Sequence, residues 1–170
     1  MGVTVSFINE NDVNSDRPPI LRVYLNTHNS PSRFLLFSKK MARWLLGKYC
    51  ICNMSGASYA GAKYFDGLGC LAAQFIKKFK NGVGDLYIID NKFPTSDYNY
   101  VIAMDDIKWF GAPEDGYPAD DVLTIGMTGV KHGSLFKGKP SELVKYINEL
   151  AKTGDVKLYD YPTKLEVNNK

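Results

Sequence analysis

Candidates for nucleophilic chemistry are few in this sequence, which contains three cysteines and two histidines. Cys70 lies at the start of a predicted helix, where the helix dipole favours the thiolate form of a cysteine. His132 follows a predicted strand further along the chain. A thiolate at a helix start and a histidine base can together perform nucleophilic catalysis. The competing interpretation, which the pattern favours, is a small cysteine buried on the core-facing side of its helix.

The layout of Cys70 and His132 is similar to that of papain-like hydrolases, although Tyr100 lies on the strand where those enzymes carry the histidine. Both histidines also begin His-x-Ser motifs, at His28 and His132, which are similar to the paired motifs of two-histidine phosphoesterases. In those enzymes the motif lies in an apolar strand, whereas the residues that follow the histidines here indicate local turns. A hydrolase or phosphoesterase that uses Cys70, or His28 and His132, is therefore the alternative to a non-enzymatic protein.

The cysteines also raise the question of a metal site. Cys50 and Cys52 lie on one face of a predicted strand, and with Cys70 and His132 they would supply the ligands of a zinc site. Buried free thiols are the favoured explanation of the same residues, so no metal is predicted. An acidic stretch lacks the spacing of a calcium loop and is interpreted as a solvated loop or a contact for a basic partner. It contains Asp105, Asp106, Glu114, Asp115, Asp120 and Asp121.

The most informative segment is a glycine-marked helix start, Asp66-Gly67-Leu68-Gly69-Cys70. Gly67, Gly69 and Ala72 fit a dinucleotide-binding fingerprint, and Asp90 follows where a ribose-binding acid would lie. No convincing strand is predicted before Gly67, which argues against a dinucleotide site. The exposed amides of the helix start could instead hold a phosphate-bearing small ligand, or the glycines could let the helix pack closely on the sheet. The predicted ligand site is Asp66, Gly67, Gly69 and Cys70, with no cofactor.

Charge and composition narrow the class of protein. The 170 residues are 45% hydrophobic and 23% charged, which is typical of one globular domain spanning the chain. The net charge of +3 is too small to predict nucleic-acid binding, although Lys77, Lys78 and Lys80 form a local cluster. No signal peptide or membrane-length apolar run is visible, and free cysteines suit a reducing compartment. We therefore expect a cytoplasmic protein without membrane or nucleic-acid partners.

The predicted elements that must position these residues indicate an α+β fold. Strands follow strands without regular helical crossovers, which predicts an antiparallel or mixed sheet with two or three helices packed on one side. The clearest helix begins at Gly67 and carries an apolar stripe, a second begins at Pro140, and a short one is predicted to begin at a Ser38 cap. Strands are predicted at 3–8, 20–25, 49–54, 86–89, 98–104, 107–110, 122–127 and 156–159, and loops at 55–64 and 114–121.

The helix start also belongs to a longer pattern. It runs Gly67-Leu-Gly-Cys-Leu-Ala-Ala-Gln-Phe-Ile-Lys-Lys-Phe-Lys-Asn-Gly-Val-Gly-Asp-Leu-Tyr-Ile88 and continues in residues 98–104 and 134–147. With its Leu-Ala-Ala-Gln helix and a later Phe-x-Gly-x-Pro turn, it resembles a set of short uncharacterised accessory proteins of tailed phages and prophages. The resemblance covers about half of the chain and does not extend to the N-terminal third. It implies a phage or prophage origin and an accessory role, and it carries no catalytic residues.

These observations together predict a phage accessory protein that acts by binding rather than by catalysis, in host takeover or counter-defence. The absence of a complete catalytic constellation from the sequence and the anion-ready helix start support this hypothesis. The predicted partner is a host protein or a small phosphorylated ligand in the host cytoplasm. The sequence leaves open whether the chain forms a homo-oligomer.

Overall fold

Alternating apolar residues build the strands of the main sheet. In the strand Val3–Asn9, for example, Val3, Val5 and Phe7 are fully buried on one face. The described elements in chain order are β1 (Val3–Asn9), β2 (Leu21–Leu25), α1 (Pro31–Leu46), β3 (Tyr49–Ile51), β4 (Tyr64–Asp66), α2 (Gly67–Phe79), β5 (Leu86–Ile89), β6 (Tyr98–Met104), β7 (Tyr117–Pro118), α3 (Ala119–Val122), β8 (Leu123–Gly129), β9 (Gly133–Gly138), α4 (Pro140–Thr153), β10 (Asp155–Leu158) and β11 (Tyr161–Lys164).

This architecture is that of a computed structural model. It describes residues 2–13, 15–26, 31–51, 63–93, 96, 98–107, 113–129, 133–153, 155–158 and 161–164. The side chains of residues 31–35, 151, 153, 155–158 and 161–164 are not described.

The largest sheet has six strands in the order β5-β2-β1-β6-β8-β9. β1 and β6 run parallel, with Val5 opposite Tyr100, and the other neighbouring pairs run antiparallel. The sheet is therefore mixed, as the succession of strands without regular helical crossovers predicts.

Helices pack on one face of this sheet. Phe75 of α2 meets Phe7 of β1 edge to face, with ring centroids 5.3 Å apart, and Phe37 of α1 meets Tyr100 of β6 at 5.8 Å. Because Phe7 and Tyr100 point to the same side of the sheet, α1 and α2 share that side. The predicted α+β fold with helices on one side is confirmed. Among the described helices, none is long and apolar enough to cross a membrane.

A smaller three-stranded sheet holds the start of α2. Its order is β4-β3-β7, with β3 parallel to β4 and antiparallel to β7. Cys50 lies in the middle of β3 and is fully buried, and Phe65 opposite it in β4 is also buried. The last residue of β4, Asp66, directly precedes α2, so this sheet fixes where α2 begins.

The helix predicted to begin at Ser38 is longer than expected. α1 already begins at Pro31, so Ser38 lies within the helix and is not its cap. Its hydroxyl group is fully buried and hydrogen-bonds to the hydroxyl group of Tyr100. A serine that faces a buried tyrosine is compatible with the middle of a helix, because the side chain satisfies its polar group across the core.

The structure differs from the predicted elements in three further places. The stretch 114–121 is not simply a loop, since it contains β7 and begins α3. The strand predicted at 156–159 is present as β10, but it pairs with β11 in a separate two-stranded sheet and not with the main sheet. β9 was not predicted, because its glycines at both ends and its Lys137 weaken the strand pattern. The predicted strand residues 52–54 and 108–110 lie outside the described residues, as does most of the predicted loop 55–64.

Candidate functional site

The first turn of α2 opens toward solvent. Gly67 adopts a φ of +76°, a conformation that favours glycine, and this lets β4 turn sharply into the helix. Gly69 is exposed, and a Cβ placed at either glycine would meet no described atom within 4 Å. Within the described part of the protein, these two glycines therefore show no close packing that a side chain would disturb, and packing against other residues stays a prediction.

Nothing in the described structure shows a side-chain cap on this helix. Asp66 occupies the N-cap position, is exposed, and makes no capping hydrogen bond with its carboxylate. No acidic residue lies in the first turn. The first amides of any α-helix lack intrahelical acceptors and carry the positive end of the helix dipole. The start of α2 thus has the chemistry of an anion site.

A lysine lies beside this helix start. Lys48 directly precedes β3 and is only 3% exposed. Its Nζ donates a 2.7 Å hydrogen bond to Oε1 of Gln74 on α2. The same Nζ lies 4.5 Å from the ring centroid of Trp44. Burial lowers the pKa of Lys48; the nearby thiol of Cys70 opposes this shift, and Lys78 adds to it. No motif in the sequence marks Lys48 as a site residue.

Gln74 connects Lys48 to the residues around the start of α2. Its Nε2 donates a 2.7 Å hydrogen bond to the carbonyl oxygen of Tyr64 in β4, and it also contacts Sγ of Cys70 at 3.7 Å. Cys70, Gln74 and Lys78 are spaced four residues apart and therefore form one row on the helix surface. That row leads from the uncapped first turn toward Lys48.

A second lysine lies at the beginning of β4. The Nζ of Lys63 lies 4.9 Å from the ring centroid of Tyr49 and 5.5 Å from that of Tyr64, and Lys63 is exposed. Tyr49 and Tyr64 are direct partners in the parallel pair β3–β4. These two cation–π contacts hold the ammonium group in place, and neither of them involves a carboxylate. It therefore adds positive charge to this side of the small sheet.

The candidate catalytic residues are only partly described. Cys70 is half-buried, packs against the core, and is a free thiol. His28 and His132 lie outside the described residues, so the hypotheses that require them stay predictions. Tyr100, which lies where a papain-like enzyme would carry its histidine, is a fully buried core residue whose pKa is raised well above its usual value by burial.

The metal and dinucleotide hypotheses have different outcomes. Within the described part of the chain, no group of three or more histidine, cysteine or acidic side chains could hold a metal ion. Two of the four proposed zinc ligands, Cys52 and His132, lie outside that part. A strand, β4, does directly precede Gly67, so the prediction that no strand lies there is wrong. The dinucleotide hypothesis fails for another reason, because β4 and β5 belong to different sheets and cannot form a βαβ unit around α2. Asp90 instead accepts hydrogen bonds from the amides of Lys92 and Phe93 in a turn.

The described carboxylates of the acidic stretch do not form a group of three or more that could hold a metal ion. Asp120 accepts hydrogen bonds from the amide and the hydroxyl group of Ser141, both at 2.8 Å, at the start of α4. Asp106 accepts a hydrogen bond from the side-chain amide of Asn11. These two carboxylates therefore join segments of the chain that are distant in sequence. In the lysine cluster, Lys80 donates to the carbonyl oxygen of Gly82 and so closes the turn after α2.

Of the predicted ligand residues, the structure brings Asp66, Gly67, Gly69 and Cys70 together at one exposed helix start. It adds Lys48 and Gln74, which the sequence does not place there. The spacing of Cys70 and Gln74 could have indicated one polar row on α2. The position of Lys48 could not be inferred, because it depends on how the small sheet packs beside the helix.

No family model matches the sequence. No curated protein and no solved structure matches it either.

Proposed function

We propose that this chain is a binding protein that holds a small phosphate-bearing ligand at the start of α2. The observation that carries the proposal is the uncapped first turn, with Gly69 exposed and Asp66 making no capping bond. A phosphate placed there would accept hydrogen bonds from backbone amides and gain from the helix dipole. The row Cys70–Gln74 runs from that first turn to the buried ammonium group of Lys48, whose positive charge would add to the attraction for an anion.

The biological setting of the proposal comes from the sequence pattern that begins at Gly67. Its likeness to phage and prophage accessory proteins supports a role in the cytoplasm of an infected host, in host takeover or counter-defence. Sequestering a small phosphorylated molecule is one way in which a non-catalytic protein could act there. Alternatively, under the same hypothesis, the phosphate group that binds belongs to a host protein and not to a small molecule.

A substitution at Gly69 separates ligand binding from folding. Gly69→Asp places a carboxylate in the first turn, where it stabilises the helix by about 0.3–1 kcal/mol and repels an anion. Gly69→Ala is the matched control: it fills the same open space without charge and favours the helix by up to about 1 kcal/mol. Both variants should therefore be at least as stable as the parent chain.

The measurement is a thermal-shift screen with nucleotides and cyclic nucleotides, followed by titration calorimetry of each hit. We expect ligands that stabilise the parent chain and Gly69→Ala, but not Gly69→Asp. Pull-downs from host lysate with the same three chains test the protein-borne form of the phosphate. Ligands that bind all three chains equally, or no ligand and no partner at all, would overturn the proposal.

Cys70 favours a second function, a cysteine-dependent hydrolase. Its half-buried thiol lies in the first turn of α2, beside the side-chain amide of Gln74 and within the electrostatic influence of Lys48. If this thiol attacked a substrate, the backbone amides of the same first turn could donate hydrogen bonds to the oxyanion that forms on the substrate. Cys70→Ala distinguishes the two functions, because a hydrolase loses substrate turnover in this variant, whereas a binding protein has no turnover to lose and still presents the backbone amides of the first turn to its ligand.

A further inference from the structure

The net positive charge of this protein is concentrated in one helix, α1. Its sequence is Pro-Ser-Arg-Phe-Leu-Leu-Phe-Ser-Lys-Lys-Met-Ala-Arg-Trp-Leu-Leu, with four cationic residues and no acidic one. The whole chain has a formal net charge of +3, so the residues outside α1 together carry a small net negative charge. A helix without carboxylates cannot form the ion pairs between neighbouring turns that balance the charges of many solvated helices.

The outward side of α1 carries a single stripe of residues, which we call the α1 stripe. Its members are spaced three or four residues apart and therefore lie along one side of the helix: Leu36, Lys39, Lys40, Arg43 and Leu46. The two leucines are 42% and 39% exposed, and Lys40 and Arg43 are exposed as well. The α1 stripe thus has an exposed leucine at each end and three cations between them.

Lys39 is the enclosed member of the α1 stripe. It is only 5% exposed, and within the described part of the chain no carboxylate forms an ion pair with its ammonium group. Burial lowers the pKa of Lys39, and the positive charge of Arg43 lowers it further. Like charges four residues apart also destabilise a helix. A carboxylate bound beside these two cations would therefore relieve their repulsion.

The leucines distinguish among the anionic partners that could bind to these cations. A free phosphate would use the cations and leave both leucines in water. A nucleic acid is usually bound by a wide basic surface, whereas the rest of this chain carries net negative charge. A helix that lies in a membrane surface inserts its apolar side, but the apolar side of α1, with Phe37, Met41 and Leu45, is buried in the core. A protein segment can supply carboxylates and apolar side chains together.

We propose that the α1 stripe is a docking site for an acidic segment of a partner protein, whose carboxylates contact the three cations and whose apolar side chains contact the two leucines. Leu36 and Leu46 are ten positions apart in the helix, which corresponds to about 15 Å. An extended segment spans that distance in about five residues. The α1 stripe lies on a different helix from the proposed ligand site at the start of α2, so each proposal can fail without the other.

The first test is a nuclear magnetic resonance titration of the isotope-labelled full chain with the end-capped peptide Leu-Glu-Asp-Glu-Asp-Leu. We expect the peptide to shift the backbone amide signals of residues 36–46, and the affinity to fall as salt is added. The control peptide Leu-Gln-Asn-Gln-Asn-Leu keeps the length and the leucines without the charge, and it should bind about tenfold more weakly or less. No shifts in α1, or equal affinity for both peptides, would overturn the proposal.

Charge reversal on α1 is compared with the same change elsewhere. Arg43 is exposed, so Arg43→Glu should fold, and we expect it to weaken binding of the acidic peptide about tenfold. Lys92→Glu makes an equal change in net charge at an exposed turn outside α1 and should bind the peptide as the parent chain does. Equal weakening in the two variants would mean that only net charge attracts the peptide, which contradicts a site on α1.

The leucines are tested with Leu36→Ser and Leu46→Ser, which change exposed side chains. We expect each to weaken binding of the acidic peptide several-fold, because an apolar contact is lost. Unchanged affinity in both variants would overturn the role of the leucines and reduce the site to a simple anion site. Phosphatidylserine vesicles and a single-stranded oligothymidine are added in place of the peptide as competing partners. If either binds through Arg43 more tightly than the peptide does, the assignment to a protein segment is wrong.

Discussion

The hydrogen bond between Lys48 and Gln74 should stabilise the fold as well as shape the candidate site. We expect it to appear as a coupling energy in a double-mutant cycle built from Lys48→Met and Gln74→Met, since methionine keeps an unbranched chain of similar length in both places. A hydrogen bond to a charged group contributes about 1.5–3 kcal/mol. Because this bond is only partly buried, we expect a coupling energy of about 1.5–2 kcal/mol.

The two single variants should also differ in how much they lower the free energy of unfolding. Gln74→Met removes the bond to Lys48 and also the 2.7 Å bond to the carbonyl oxygen of Tyr64, while the lysine stays buried. We expect it to cost about 2–3 kcal/mol. Lys48→Met should cost less, because it also removes an ammonium group whose charged form is disfavoured by burial.

Urea unfolding followed by far-UV circular dichroism gives the four free energies of unfolding needed for the cycle. The m-values should be equal among the four chains, so that differences in midpoint report stability alone. A coupling energy below about 0.5 kcal/mol, which is the level found for independent sites, would refute a stabilising Lys48–Gln74 bond.

Three further outcomes follow from described contacts. Gly116→Ala should lose more than about 1 kcal/mol of stability, because Gly116 has a φ of +80° and its Cβ would collide with the carbonyl oxygen of Cys50, whereas Gly82→Ala, with open space at its Cβ, should be nearly neutral in the same urea assay. Asp120→Ala removes both hydrogen bonds to Ser141 at the start of α4 and should cost about 1–2 kcal/mol in thermal or urea unfolding, and an unchanged midpoint would contradict this role. The pKa of Lys48 is lowered by burial from its ordinary value of 10.5, so the unfolded chain binds the extra proton, and stability should rise with pH in the window just below 10.5. Lys48→Met should reduce this slope in a plot of the free energy of unfolding against pH. A slope equal to that of the parent chain would mean that other groups cause the pH dependence.

Local pattern was sufficient for the long elements of the fold. The stripe from Leu68 to Phe79 predicts α2 correctly, because five of its apolar residues are buried against the core. Alternation likewise predicts β1 and β6, which lie at the centre of the sheet and each bury three alternating residues on one face. In these elements propensity, periodicity and burial all indicate the same structure.

The failures arise where long-range packing overrides local signals. Ser38 has the side chain of a helix cap, but its hydroxyl group pairs with Tyr100, which is distant in sequence, so the helix continues past it. β9 has glycine at both ends and is a strand because β8 offers it a partner. The burial of Lys48 has the same kind of cause, since a lysine read alone is expected on the surface.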